Sequence, residues 1–262
     1  MNNLGPSSFF ALPALALGLA ALLAVSDGLA AVTVDEFPNA DSVTVEEIER
    51  VTVATNGAYR AEIEYWSKML TKNGCRSGRV IEFDYSARLS ETELVYVGVI
   101  GTNGVERAID LATTTKETTD NSSADENIYD PLDRHVTCTV PDLAIGETLH
   151  VKAVRSTSGG RIYGNWSGVA MLEGGCPILK SVYEVRVPKE LPIRRKALRN
   201  PLGNVTATER TLEDGSVVHT YVATNSPQMF REPDMPTPWT VAEHVRLSTV
   251  ADWKDLSRWY WE

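Results

Sequence analysis

Only three of the 262 residues are cysteine and four are histidine, and that scarcity bounds the chemistry open to the chain. Cys75, Cys138 and Cys176 are odd in number and far apart. They make no disulfide framework, so the fold must rest on an apolar core, with one bridge at most and its partners unspecified. No C-x-x-C, H-E-x-x-H or EF-hand spacing occurs, and the sequence predicts no metal site and no cofactor. A glycine-rich phosphate loop is missing too, because Ser158-Gly159-Gly160 opens a predicted strand rather than a helix. Positive charge is in deficit. With 25 Lys and Arg against 35 Asp and Glu, the formal net charge is -10. That balance argues against nucleic acid or an anionic membrane surface as the main partner.

What is present begins with an uncharged apolar run, Phe9 to Val25, followed by Gly28 and Ala30 in a small-x-small pattern. Residues 1–30 read as a secretory signal peptide cleaved near Ala30-Ala31, although no Lys or Arg precedes the run. An uncleaved anchor is the alternative, against which stand a marginal length and Pro13. No later segment is apolar enough to span a bilayer. The expectation is an exported protein, periplasmic or associated with the cell envelope. Hydrophobic residues make up 43% of the chain and charged residues 23%, a balance that excludes general disorder.

Residues 31–44 read as an exposed lead-in. From there the dominant period is two. Arg79 to Tyr85 alternates well, with Ile81, Phe83 and Tyr85 on one face. Glu93 to Ile100 runs into Asn103-Gly104, the strongest short hairpin signal. A second hairpin is predicted around Glu213-Asp214-Gly215. Further strands are predicted at 59–69, 105–111, 135–140, 148–156, 161–172, 181–188, 192–198, 205–211, 216–224 and 241–249. Turn residues separate them. The fold class is therefore all-β: an antiparallel β-sandwich over residues 45–247, as one large sandwich or two stacked β subdomains.

Residues 248–262 are the one predicted helix, with Ser248 or Thr249 as its cap. Trp253, Leu256 and Tyr260 fall on one stripe, and Trp259 and Trp261 on its flanks. No helix-ending signal follows, so the helix reads as a junction to a missing domain, with Trp253, Leu256, Trp259, Tyr260 and Trp261 as its interface.

No catalytic constellation emerges. His135 and Cys138 are three apart on a predicted strand and point to opposite faces. His150 and His219 read as ordinary strand residues, and Cys176 precedes no helix that would lower its thiol pKa. Asp120 to Asp133 is rich in calcium-type oxygens, but the same residues make turns. Lys189 to Arg199 is the only basic cluster and reads as a solvated strand face. Asn121, Asn165 and Asn204 open Asn-x-Ser/Thr triplets.

Several segments together resemble a family. They are Thr119 to Pro131, His135 to Gly146, Pro177 to Pro192, Phe230 to Pro238 and Leu247 to Trp261. Across residues 45–262 the chain resembles the bacterial domain of unknown function found just before the transglutaminase-like domain in exported proteins. The resemblance implies a β-rich, non-catalytic module that supports or positions an adjoining papain-like transglutaminase domain. Its catalytic Cys, His and Asp would lie beyond Glu262, and the full-length protein would be a transglutaminase-like cysteine protease or transferase. The alternative is a stand-alone cell-envelope binding module for polysaccharide or polypeptide, with Tyr163 and Trp166 as its platform, although Trp166 reads better as a core residue.

Overall fold

The strand β1 (Ser42–Val53) lies at the centre of the molecule, although no strand is predicted there from the sequence. Four Glu and Arg side chains follow one another closely in it, and the two-residue period appears only once its neighbours are in place. The computed structural model describes residues 32–119, 130–160, 162 and 164–261. The leader read in residues 1–30 and most of the acidic loop 120–133 lie outside them.

An eight-stranded sheet forms the body. Its members are β1, β2 (Tyr59–Met69), β4 (Ser90–Ile100), β5 (Glu106–Ala108), β8 (Thr148–Thr157), β10 (Ile178–Val187), β12 (Val205–Thr211) and β13 (Val217–Ser226). They run in the order β12-β13-β10-β1-β2-β8-β4-β5. All pairs are antiparallel except β1 with β10, which lie parallel with Val51 beside Val185.

Two three-stranded antiparallel sheets cover one face. One is β3 (Val80–Ser86), β7 (Asp133–Thr139) and β6 (Thr115–Thr119); the other is β11 (Arg195–Arg199), β14 (His244–Ser248) and β9 (Ser167–Met171). Each closes its own core. Val97, Val99, Leu149 and Val151 of the large sheet meet Ile81 and Cys138 under the first. Val51, Tyr183, Val185 and Tyr221 meet Ala170, Val245 and Leu247 under the second. The all-β sandwich expected from the sequence is thus a single large sheet opposed by a divided layer. Burying each such aliphatic side chain contributes about 1.5–3 kcal/mol.

The opposite face of the large sheet is largely open. A bulge between Thr44 and Glu46 shifts the phase of β1 there. Residues 32–41, within the lead-in read at 31–44, are mostly exposed but are tied to this face at three points. Val32 and Ala40 are buried, with Phe37 beside them, against Val43, Val45, Trp66 and Leu70. Burial of apolar side chains that show no period is what conceals this contact from the sequence.

Four short helices complete the described chain: α1 (Lys72–Gly78), α2 (Leu111–Thr114), α3 (Pro238–Val241) and α4 (Trp253–Trp261). Both predicted hairpins are present. Gly104 turns the first with φ of 79°, and Gly101 N–H donates to Val105 O at 2.9 Å. Leu212 N–H donates to Ser216 O at 2.8 Å in the second.

Candidate functional site

The helix α4 begins later than its sequence implies. Ser248 closes β14, and Thr249 is buried, its hydroxyl accepting from Trp166 N–H at 2.8 Å. Asp252 is the cap instead, its Oδ1 accepting from the N–H groups of Lys254 at 2.8 Å and Asp255 at 3.0 Å. The wrong cap was read because Ser, Thr and Asp all suit that position. Pairing with β9 and β11 claims Ser248 for the sheet.

No described residue of α4 is buried. Trp253 is 76% exposed, Tyr260 73%, Trp261 81% and Trp259 37%. Leu256 is half-buried. Tyr260 and Trp261 meet edge to face at 5.5 Å. Arg195 Nε donates to Ala251 O at 3.0 Å and ties the chain to β11 just before the helix. Each ring left in water forgoes about 2–3 kcal/mol of burial. Four exposed aromatics are thus gathered on one short helix.

A second cluster lies on the open face of the large sheet, and sequence reasoning missed it. His150 is buried between two carboxylates, with Nε2 2.9 Å from Glu64 Oε1 and Nδ1 2.7 Å from Glu106 Oε1. Trp66 stacks on the imidazole at 4.5 Å, and Tyr96 meets it edge-on at 5.2 Å. Lys152 Nζ also reaches Glu64 Oε1, at 2.8 Å. Burial pushes the Glu64 carboxyl up, but the bonds from His150 and Lys152 outweigh it and hold the group below its ordinary value. The Tyr96 phenol is pushed up to about 12 by burial and by its bond to Glu106. Gly98 admits this packing, since a Cβ there would stand 2.5 Å from both Glu106 Oε1 and the Tyr96 hydroxyl. The cluster joins β2, β5 and β8 by hydrogen bonds across the sheet and fastens the short β5 to its edge.

A third group lies where the covering layer divides. Glu47 and Glu49 point from β1 into a cleft of about 180 Å³ lined also by Tyr65, Val169, Met171 and Tyr183. Ser181 Oγ donates to Glu47 Oε1 at 2.7 Å. Burial raises both carboxyls, Glu49 to about 7 against the opposing pull of Arg155. A carboxyl that titrates near neutrality can exchange protons, yet the cleft is smaller than the roughly 300 Å³ where small-molecule sites begin.

The thiols make no comparable site. Cys75 and Cys138 are buried, and all three cysteines are free. Burial pushes the Cys75 thiol up, away from the reactive thiolate. Cys138 Sγ lies 3.6 Å from Thr114 Oγ1 and Cys176 Sγ 3.4 Å from Thr44 Oγ1. His135 faces Asp84, with Nδ1 2.6 Å from Oδ1, while Cys138 turns to the core as the spacing predicts. Trp166 is buried in the core, the better of its two readings from sequence, and is no ligand platform; Tyr163 lies outside the described residues. In the basic cluster Lys196 pairs with Glu209, and Arg195 serves the chain before α4.

A family model described as "Domain of Unknown Function with solved-structure structure (DUF3857)" matches residues 55–230. The crystal structure of a "putative protease" from Parabacteroides distasonis superposes with a TM-score of 0.70 at 17% identity, over 80% of this chain and 40% of that one. The likeness is therefore one of fold, and the chain spans 40% of that protein's length. A CBM3a-L domain from the scaffoldin of Clostridium thermocellum matches 45% of this chain and 69% of its own at 10% identity. Its TM-score of 0.26 carries no structural argument. No curated protein matches.

Proposed function

Because the chain belongs to the DUF3857 family, we propose that it is an exported, non-catalytic β module that seats an adjoining transglutaminase-like domain on α4. The observation that carries this reading is the uncovered set of rings on α4, Trp253, Trp259, Tyr260 and Trp261. A following domain laid on them would recover the burial that the module itself forgoes. Support comes also from the Parabacteroides protein, which holds this fold within a longer chain described as a "putative protease". In such an arrangement the hydrolytic or transfer chemistry belongs to the second domain. The division here would be module 45–247, junction 248–262, and a leader at 1–30.

The test is a tandem protein in which a transglutaminase-like domain follows Glu262, taken from a longer member of the family. Acrylamide quenching of tryptophan fluorescence is compared with that of this chain alone. The Trp253→Phe/Trp261→Phe variant of each isolates the helix signal. Reduced quenching and a blue-shifted helix signal in the tandem are expected. Quenching unchanged beside a folded second domain removes the junction reading. A reporter fused to residues 1–30 that stays in the bacterial cytoplasm removes export.

A further inference from the structure

Among the described residues, the strands β12, β5, β11, β9, β3 and β6 end the three sheets. An edge strand presents unpaired N–H and C=O groups, and charged side chains keep other chains from pairing with them. All but one of these strands carry such charges, among them Glu209 in β12, Glu106 in β5, Lys196 in β11, Glu82 in β3 and Lys116 in β6. The exception is β9, Ser-Gly-Val-Ala-Met, which has neither a charge nor a proline.

Its free edge is also recessed. Gly168 and Ala170 lie opposite Leu247 and Val245 of β14. Leu172 N–H donates to Glu243 O, and Thr249 N–H to Trp166 O, each at 2.9 Å. The alternation of an antiparallel ladder therefore turns the N–H and C=O of Gly168 and Ala170 toward β14, and those of Ser167, Val169 and Met171 away from it. No described strand pairs with β9 on that side. There Val169, Ala170 and Met171 wall the cleft of Glu47 and Glu49. Toward Ser167 the gap widens to about 720 Å³, with Ser86 of β3 and Asp133 of β7 across it.

The floor of the cleft is negative. Glu47 and Glu49 both line it, and among the described residues Arg155 is the one cation that acts on Glu49. The Arg155 guanidinium is itself engaged, its Nε donating to Thr92 Oγ1 at 3.3 Å. Ala170 is buried against the large sheet, whereas Val169 is exposed. A strand laid beside β9 would thus turn inward the side chains opposite Gly168 and Ala170. A long aliphatic stem there would lie along Ile63 and Tyr65 and bring its end to the carboxylates. A cleft of about 180 Å³ suits one such side chain, with the main chain outside it on the strand edge.

We propose that the β9 edge binds an extended polypeptide segment of a partner protein, paired antiparallel through Ser167, Val169 and Met171, with Lys or Arg turned inward onto Glu47 and Glu49. Main-chain hydrogen bonds give such a site its affinity, and the inward side chains give it selectivity. An acidic segment is rejected, because like charges would meet in a half-buried cleft.

The probe is a synthetic peptide of alternating Lys and Val, capped at both ends and titrated into this chain to about 1 mM by calorimetry. Saturable binding is expected, with amide hydrogen exchange at Ser167, Val169 and Met171 slowed about tenfold or more. The same peptide methylated on its valine amides keeps its charge but loses its donors to the edge, and should not bind. A Glu-Val peptide should bind at least about tenfold more weakly. Val169→Pro removes an N–H that faces away from β14, which an edge strand tolerates, and should abolish binding. Glu47→Gln/Glu49→Gln leaves the backbone intact and should erase the preference for Lys over Glu. Absence of binding by the Lys-Val peptide overturns the proposal. So does binding that survives valine-amide methylation, or that is unchanged in both variants. Self-association of the parent chain that Val169→Pro abolishes would make a second copy the occupant and overturn it as well.

Discussion

Glu49 shows how one buried carboxyl ties stability to pH. Its folded value of about 7 lies above the ordinary 4.5 because burial disfavours the charge. The folded protein therefore keeps a proton that the unfolded chain releases. The stabilisation is complete below about pH 4.5 and is lost as pH rises through about 7. The full difference corresponds to about 3 kcal/mol, and Glu47, also raised by burial, acts in the same direction. Urea unfolding at stepped pH should give a shallower slope between those values for Glu49→Gln, with higher stability than the parent at pH 8. An identical slope in the variant would refute the assignment. His150→Ala should cost about 1–3 kcal/mol, because Glu64 and Glu106 would each lose a hydrogen-bond partner and Trp66 the ring stacked on it. The same urea series would register this, and a loss below 1 kcal/mol would contradict it. Neither group was legible in the sequence. Glu47 and Glu49 fall in a stretch of the sandwich where no strand is predicted, and the His150 partners come from separate strands whose pairing no local pattern specifies.

Among elements, those with a clean period were legible. The strands around residues 80–86, 148–157 and 205–211 declare themselves by alternation, and the hairpins by Asn103-Gly104 and Asp214-Gly215. β1 did not, because its polar side chains occupy both faces: Glu47 and Glu49 line the cleft, while Glu46, Ile48 and Arg50 turn to the open face. α1 was also missed, since K-N-G-C-R-S-G reads as a turn; the Thr71 cap, accepting from Gly74 N–H at 3.1 Å, holds it as a helix. β14 ties the second small sheet to the body through Val245 and Leu247. Leu247→Ala should cost about 2–5 kcal/mol in chemical denaturation. Leu198→Ala, on the exposed side of the adjacent β11, should stay within about 0.5 kcal/mol. Equal losses at the two positions would mean that β11 and β14 do not pack as described.

At the scale of the whole molecule, the divided covering layer sets where function can reside. Each small sheet is closed by its own core, and two clefts lie along the gap between them: that of Glu47 and Glu49, and one of about 720 Å³ lined by Ser86, Arg88, Asp133, Trp166 and Ser167. The large apolar surface left over is on α4, which rests on neither layer. Trp253→Ser/Trp261→Ser should therefore leave the unfolding free energy of this chain within about 0.5 kcal/mol per site. In the tandem protein the same pair should lower the coupling between the two domains, read as separate rather than joint thermal transitions. A large loss of stability in the isolated chain would show that the rings pack on the module after all.

The sequence by itself determined the class of the fold and the content of the final helix. Alternation and turn chemistry act over a few residues, and the α4 stripe follows from the 3.6-residue turn alone. Only the tertiary structure decided that β1 runs parallel to β10 at the centre, that residues 32–41 cover part of the open face, and that Ser248 belongs to a strand. The physical reason is the same throughout: strand pairing and the burial of a charge depend on segments distant in the chain. What a carboxylate becomes is set by the neighbours that reach it.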